Sequence, residues 1–391
     1  MIIVGGAYWE SIRHPKKSNL YGSGLKGAMA MSRIIDNLKL VTVCSDAEEQ
    51  EIKSVCNTYG IDCDLHKREV PIEFLYLTPM TVPRVLGVRN QNIEFEVEGD
   101  FILSYGMLEA HPKLKAKRIV LDPQKPKQTL LDLNSIKCDE IVLVLNSHES
   151  AELTGFSDPE AAADELLKNY SLFGVIIKCG AIGALAKSKT EKDWVGVRPS
   201  QSVWPVGSGD IFSAAFAVGW GKLGKSILEA ADYASKAVNV WTVNPDVFPL
   251  DKDFEKVASK KIVSRRKPKI YLAGPFFNLS QLWLIETTYS ALLNLGCEVF
   301  SPYHNVGLGG DEVAKKDLDG LDTCNSMIAL LDGKDEGTIF EAGYAISKNI
   351  QCVGYCSDVN SSQLKMIRGS GINLYSDLST AIYKSIWGGM L

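Results

Sequence analysis

The chain has 391 residues, 42 Lys+Arg against 47 Asp+Glu, 46% hydrophobic and 23% charged residues, close to an average globular composition. Disorder, collagen and coiled coil are excluded, and the length allows two domains that each bury a core. A net charge of −5 argues against a nucleic-acid groove, which needs a basic face to neutralise phosphates, so a small-molecule partner is expected.

Nine cysteines, odd in number and without a CxxC pair, read as buried free thiols in a reducing cytosol. Met1-Ile-Ile-Val-Gly-Gly6 enters a strand without a basic leader, and no apolar run approaches the roughly 20 residues a membrane helix needs. A cytoplasmic location without membrane partner is therefore expected.

In chain order, short Val/Ile-rich runs alternate with helical periods: Lys39–Val43, Arg118–Leu121, Glu140–Leu145 and Gly174–Ile177. This is the pattern of parallel strands with crossover helices, each strand ending in a ligand-bearing loop. Between Val70 and Gly106 the pattern turns to alternating runs, Phe74–Leu77 and Asn92–Val97, which predict an antiparallel insertion or edge ribbon. One long helix, Ile211–Val243, is expected to close the first unit. Lys260–Lys269 then carries six basic residues and a proline in ten positions, a solvated linker. After it the chain restarts as Lys269-Ile-Tyr-Leu-Ala-Gly-Pro275. Further strands at Gly296–Phe300, Ser326–Leu331 and Gln351–Tyr355 make a small doubly wound sheet. The expected division is 1–262 and 268–391, an α/β chain of two doubly wound domains.

The most informative segment of the first domain is Val206-Gly-Ser-Gly-Asp-Ile-Phe-Ser-Ala-Ala215. A glycine turn opening a helix converges backbone amides on one space and binds anions readily, and Asp210 at its end is placed to take a proton from an attacking hydroxyl. A plain helix N-cap explains the same residues equally well. Asn146 and Glu149 follow a buried strand and are spaced to reach a magnesium–water cluster. Lys178-Cys-Gly-Ala-Ile-Gly183 is another strand-to-glycine turn. In this order the segments resemble the ribokinase-like (PfkB) carbohydrate and nucleoside kinases across about residues 1–255. The resemblance implies an anion hole for ATP at Gly207, Ser208 and Gly209 with Lys178, Gly180 and Gly183, a catalytic base at Asp210, and Mg2+ at Asn146 and Glu149. Glu10 stands where that family has a sugar-gripping aspartate, and Gly22-Ser-Gly-Leu-Lys-Gly27 lacks the family's asparagine. The short region between them implies a reduced cover over the acceptor site.

In the second domain acidic residues gather after strand ends: Asp317, Asp332, Asp335, Glu336 and Glu341. Ile270–Phe277, then Asp317, then Asp335-Glu-Gly-Thr-Ile-Phe-Glu-Ala-Gly-Tyr-Ala345 resemble the nucleoside 2-deoxyribosyltransferase family. Cleaving an N-glycosidic bond builds positive charge on the sugar and negative charge on the base, which two carboxyl groups can serve. The resemblance implies Glu341 as nucleophile, Tyr271 orienting it, Asp335 assisting at the sugar and Asp317 at the base. Gly274, Pro275, Phe277 and Gly337 would bind substrate; the substrate is either a free nucleoside or a 5′-nucleotide, and for the latter Ser361, Ser362 or Arg368 would meet the 5′-phosphate. No cofactor is expected for this domain. The family also places part of each site on a neighbouring subunit, so at least a homodimer through 268–391 is expected.

Two functions follow. One is a bifunctional enzyme in which a glycosidase or deoxyribosyltransferase is joined to a kinase for a sugar or nucleoside. The other is an effector that depletes nucleotide or NAD, its kinase-like domain only binding a ligand or partner.

Overall fold

The computed structural model describes residues 1–89, 92–124, 133, 136–246, 261–264 and 267–391. It divides into two compact units, Met1–Ser200 with Pro205–Ser259, and Gln201–Trp204 with Lys260–Leu391. The expected linker, 260–269, lies partly outside the described residues. Within the second unit Val203 N donates to Thr380 Oγ1 at 2.9 Å, which gives the short segment Gln201–Trp204 its place there.

The strands of the first unit are β1 (Ile2–Val4), β2 (Trp9–Ile12), β3 (Lys17–Leu20), β4 (Lys39–Cys44), β5 (Asp62–Lys67), β6 (Glu73–Tyr76), β7 (Arg84–Leu86), β8 (Glu96–Tyr105), β9 (Lys113–Asp122), β10 (Lys137–Asn146), β11 (Gly174–Lys178), β12 (Ala184–Ser188) and β13 (Lys192–Val195). Among the described residues the main sheet has nine strands in the order β13-β12-β11-β10-β9-β8-β1-β4-β5. Pairing is parallel from β11 to β5, and β12 and β13 add antiparallel to one edge. Ile141–Leu145 is buried throughout because helices cover both faces of a parallel sheet, which is why that run reads as continuously apolar. The C-terminal ends of β9, β10 and β11 deliver Asp122, Asn146 and Lys178 to one edge.

A second sheet, β3-β2-β6-β7, stands apart. β2 pairs antiparallel with β3 and parallel with β6, which pairs antiparallel with β7. Two expectations are corrected here. Val70–Gly106 is not one antiparallel insertion, because β8 is a parallel strand of the main sheet. Its first half alternates since one face meets solvent, and its second half is buried on both faces. The cover over the first site is also larger than the short segment implied, because β2 recruits β6 and β7 from distant sequence.

The expected helix 211–243 is broken into Ser208–Ala217, a π turn at Val218–Lys222, and Ile227–Val243. The π turn seats Trp220 among Phe101, Phe173 and Phe216, with Gly221 close against the Phe101 ring. A capping box at Ser226 and Glu229 restarts the helix.

The second unit is a five-stranded parallel sheet: β14 (Lys269–Ala273), β15 (Glu298–Phe300), β16 (Ser326–Leu330), β17 (Gln351–Tyr355) and β18 (Asn373–Tyr375), in the order β15-β14-β16-β17-β18. This is the flavodoxin-like order, whose switch point between β14 and β16 is where ligands bind. Every residue of β16 is buried. The cysteines are all free, Cys63 and Cys138 half-buried and the other seven buried. No described helix is long and apolar enough to cross a membrane.

Arg68 is the charged hub of the first unit. Its guanidinium donates to Glu48 (2.7 and 2.8 Å), Glu109 (2.8 Å) and the carbonyls of Ala7, Val43 and Val70, and the three charged side chains are 1–3% exposed. Removing one partner of a buried ionic network leaves uncompensated charge and costs about 3–5 kcal/mol. Arg68→Ala is therefore expected to lower the unfolding free energy of the first unit by that amount, read as a shift of the urea midpoint at unchanged slope.

Candidate active sites

The edge of the first sheet opens into a cleft of about 680 Å³. Asn146, Glu149, Asp122, Lys178, Gly180 and the turn Val206–Asp210 line it together with Glu10, Lys26, Phe74 and Tyr76. Gly207 has φ +85°, a conformation that disfavours any side chain, and a Cβ there would lie 2.2 Å from Lys26 Nζ. Asp210 follows in the first turn of Ser208–Ala217, and Tyr105 donates its hydroxyl to the Asp210 carbonyl at 2.7 Å. The Ser208 hydroxyl donates to Pro205 O, so it serves the turn. Gly183, at φ +113°, closes the turn after β11.

Lys26 is the residue sequence reading missed. Its helix, Gly22–Met31, is buried along its whole length, and Nζ donates to Glu10 Oε1 (2.8 Å), Glu10 Oε2 (3.1 Å) and Asp210 Oδ2 (3.1 Å). Burial works against the ammonium, but Glu10 and Asp210 outweigh it and hold the group charged well above the usual lysine range. A lysine set among Gly, Ala, Leu and Met was the available signal. Lys178 donates to Asp122 (2.8 Å) and Ser213 (3.3 Å), and its ammonium lies beside Gly209.

In the second unit the Tyr271 hydroxyl donates to Glu341 Oε1 at 2.6 Å. Burial pushes the Glu341 carboxyl up to about 7, Tyr271 pulls it down, and Asp317 and Asp335 add repulsion. Burial and then Glu341 raise the Tyr271 hydroxyl far above its ordinary value, so it stays a donor. Asp317 is raised by burial, and its Oδ1 is buried without a hydrogen-bond partner among the described residues. Asp335 caps the helix Glu336–Ser347, Oδ2 accepting from Thr338 N (2.7 Å) and Thr338 Oγ1 (2.9 Å). These four predicted residues form one interacting cluster.

Residues 107–240 match the pfkB family of carbohydrate kinases, and residues 270–375 match nucleoside 2-deoxyribosyltransferase. The two matches lie in different parts of the chain, one in each unit. The first unit also resembles solved ribokinase-family structures. A pyrophosphate-dependent kinase complexed with a pyrophosphate analog and myo-inositol is 15% identical, with TM-score 0.52 over 66% of this chain and 99% of that one. Fructokinase from Vibrio cholerae, bound to fructose, ADP and calcium, is 12% identical, with TM-score 0.52 over 66% and 98%. Phosphofructokinase-2 from Escherichia coli, in complex with substrates and products, is 14% identical, with TM-score 0.52 over 66% and 97%. At these identities the likeness shows the fold. No curated protein matches the chain.

Within the PfkB-like cleft, Asn146 and Glu149 make a reciprocal capping box: Asn146 Oδ1 accepts from Glu149 N, and Glu149 Oε2 from Asn146 N, both at 2.8 Å. No three His, Cys, Asp or Glu side chains gather as a metal cage among the described residues. The donor set still fits Mg2+ held through water. Glu149 is pushed up by burial and then by Asp122, repulsion that a cation would relieve.

Around the deoxyribosyltransferase-like cluster, a Cβ on Gly274 would meet Leu330 Cβ at 2.9 Å, so glycine lets β14 leave the sheet beside β16. Pro275 is buried, Gly337 exposed, and Phe277 exposed at 69%. Ser362 is exposed in the turn Ser362–Leu364, and Arg368 donates to the carbonyls of Val359 and Ser361. The structure therefore ties neither Ser362 nor Arg368 to Glu341. The His304 ring stacks on Tyr289 at a centroid separation of 3.7 Å.

Glu341 has a pH signature of sign opposite to an ordinary carboxylate. Its folded value of about 7 exceeds the unfolded 4.5, so its contribution to stability is full below 4.5 and is lost as pH rises through 7. At about 1.4 kcal/mol per pH unit, discounted for partial solvent access, Glu341→Gln should stabilise the second unit by about 1–3 kcal/mol at pH 8.5 and little at pH 4.5. Urea unfolding of wild type and variant at the two pH values measures the difference.

Proposed function

We propose that the chain is a cytosolic bifunctional enzyme of nucleoside metabolism. Its second domain, 268–391, cleaves or transfers the N-glycosidic bond of (2′-deoxy)nucleosides or their 5′-monophosphates. Its first domain, 1–262, phosphorylates a sugar or nucleoside with Mg-ATP. The observation that carries the reading is the 2.6 Å hydrogen bond from Tyr271 to Glu341 inside a cluster of carboxyl groups.

In the glycosidic step ionised Glu341 attacks the anomeric carbon, the C–O bond forming as the C–N bond breaks. The base leaves with the electron pair and takes a proton from Asp317, whose burial favours the protonated form. Asp335 steadies the positive charge on the sugar. Water or a second base then attacks the glycosyl-enzyme and frees Glu341. Tyr271 acts through Glu341: its hydrogen bond favours the ionised form near neutral pH.

In the kinase step an acceptor hydroxyl passes its proton to Asp210 while its oxygen takes the terminal phosphoryl group of ATP. The amides at Gly207–Gly209 and the Lys178 ammonium face the phosphate charge. Mg2+, held through water by Asn146 and Glu149, neutralises phosphate charge when bound.

The effector reading has one observation in its favour, the Lys26 ammonium that already occupies Glu10 and Asp210. Two variants separate the possibilities. Glu341→Ala should abolish base release, followed by mass spectrometry of products, with near-native folding. Asp210→Asn should remove ATP-dependent phosphorylation and leave base release within about twofold, because an amide cannot take the hydroxyl proton. Phosphorylation that survives in Asp210→Asn would dismiss that residue as the base.

The second domain is expected to act as at least a homodimer. Phe277, Leu279, Phe340 and Met366 are 64–84% exposed, and two of them flank predicted site segments. A pocket left open to water would weaken stabilisation of the charged sugar. Light scattering should give twice the chain mass or more, and a monomer fully active in base release at nanomolar concentration would refute the assembly.

A further inference from the structure

Lys26 closes the inner end of the first cleft. Its three hydrogen bonds among the described residues all go to Glu10 and Asp210, and its side chain is 2% exposed. The two carboxylates that could hold the inner hydroxyls of a free sugar are thus already bridged by an internal cation. No hydrogen bond among the described residues uses Asp210 Oδ1, which leaves that oxygen for one acceptor hydroxyl.

The remaining room runs along the small sheet. Glu10 on β2 stands in register with Phe74 on β6, and Phe74 and Tyr76, two residues apart, project to the same side. Phe74 leans on Tyr8 at a ring separation of 5.4 Å, and Tyr8 is fixed by its hydroxyl bond to Glu109 at 2.7 Å. Val82 and Pro83 carry the wall outward to the rim, where Val82 is 84% exposed. A wall of this kind offers little to the hydroxyls of a polyol and a stacking surface to a flat heteroaromatic ring.

We propose that the acceptor of the first unit is a nucleoside, its base lying along Phe74 and Tyr76 and one sugar hydroxyl reaching Asp210 past Lys26. The proposal rests on the kinase reading above and names the acceptor class. The hydroxyl oxygen forms a bond to the terminal phosphorus of ATP, the bond from that phosphorus to ADP breaks, and the hydroxyl proton passes to Asp210. The product is a nucleoside phosphate, one of the substrate classes open to the second unit, so the first reaction supplies the second.

The full-length enzyme with Mg-ATP is assayed on adenosine, inosine, uridine and their 2′-deoxy forms against free ribose, 2-deoxyribose and fructose. The expected result is phosphorylation of a nucleoside with KM at least about tenfold below that of any free sugar. Phe74→Leu keeps apolar volume without a stacking face, and should raise the nucleoside KM about tenfold or more with kcat within about threefold. A free sugar taken at equal or lower KM, or an unchanged nucleoside KM in Phe74→Leu, overturns the assignment. Calorimetric titration of the same nucleosides separates the two claims. Nucleoside binding that Phe74→Leu weakens, without phosphorylation, overturns the kinase reading and supports the acceptor class. Absence of both binding and phosphorylation overturns the acceptor class itself.

Discussion

A cation removed from water must be surrounded by its counter-charges, and the first unit is organised around two such groups. Arg68 gathers the carbonyls after β1 and in β4, the carboxylate of Glu48 at the start of the helix Asp46–Tyr59, and Glu109 after β8. These elements are distant in sequence and meet at the ligand-bearing edge of the sheet. Tyr8 lies over the guanidinium at 5.3 Å and passes the order on to Phe74 in the cleft wall. Lys26 does the same elsewhere in the unit, joining Glu10 of the small sheet to Asp210 beside the glycine turn Val206–Gly209. Without these cations two pairs of carboxylates, Glu48 with Glu109 and Glu10 with Asp210, would be left without counter-charge where little solvent reaches them.

The second unit uses the opposite arrangement. Asp317 and Asp335 both repel the Glu341 carboxylate, and the group that answers it is the neutral hydroxyl of Tyr271. A neutral donor stabilises the anion without cancelling its charge, so Glu341 can be proton-bound or ionised near neutral pH. That would suit the nucleophile of the proposed reaction, which must be released again. The cluster opposes folding above neutral pH, and the buried β16 with the surrounding apolar core bears that burden.

What could be read from the sequence follows from range. Parallel strands buried on both faces announce themselves locally, as Ile141–Leu145 and Ser326–Leu330 do, and glycine turns at strand ends mark the ligand edge. The Tyr271–Glu341 pair was legible only through a family resemblance, since seventy positions separate the partners. The pairing of β2 with β6 was not legible, because alternation in Phe74–Leu77 says that a face is covered but not by which strand. Alternation also misled at β8, where half a strand stood proud of its cover. Lys26 and Arg68 were passed over for one reason: sequence gives a cation a solvent-exposed expectation that only a three-dimensional set of carboxylates reverses.

Two of the carboxylates to which the proposed function assigns chemistry also cap helices, and under that proposal the two roles divide by oxygen atom. Asp335 gives Oδ2 to the amide and hydroxyl of Thr338, and Glu149 gives Oε2 to the amide of Asn146. In each case the second oxygen carries no hydrogen bond among the described residues, while the first fixes where it points. Such a side chain has little rotamer freedom left to lose when a substrate or ion arrives, so the ordering is supplied by the helix terminus in advance. Under the proposed function the cap and the chemistry are therefore parts of one arrangement: the cap aims the carboxylate. It follows that an amide substitution, which keeps the cap acceptor and removes the charge, isolates the chemistry at these positions, whereas alanine removes the helix start along with it.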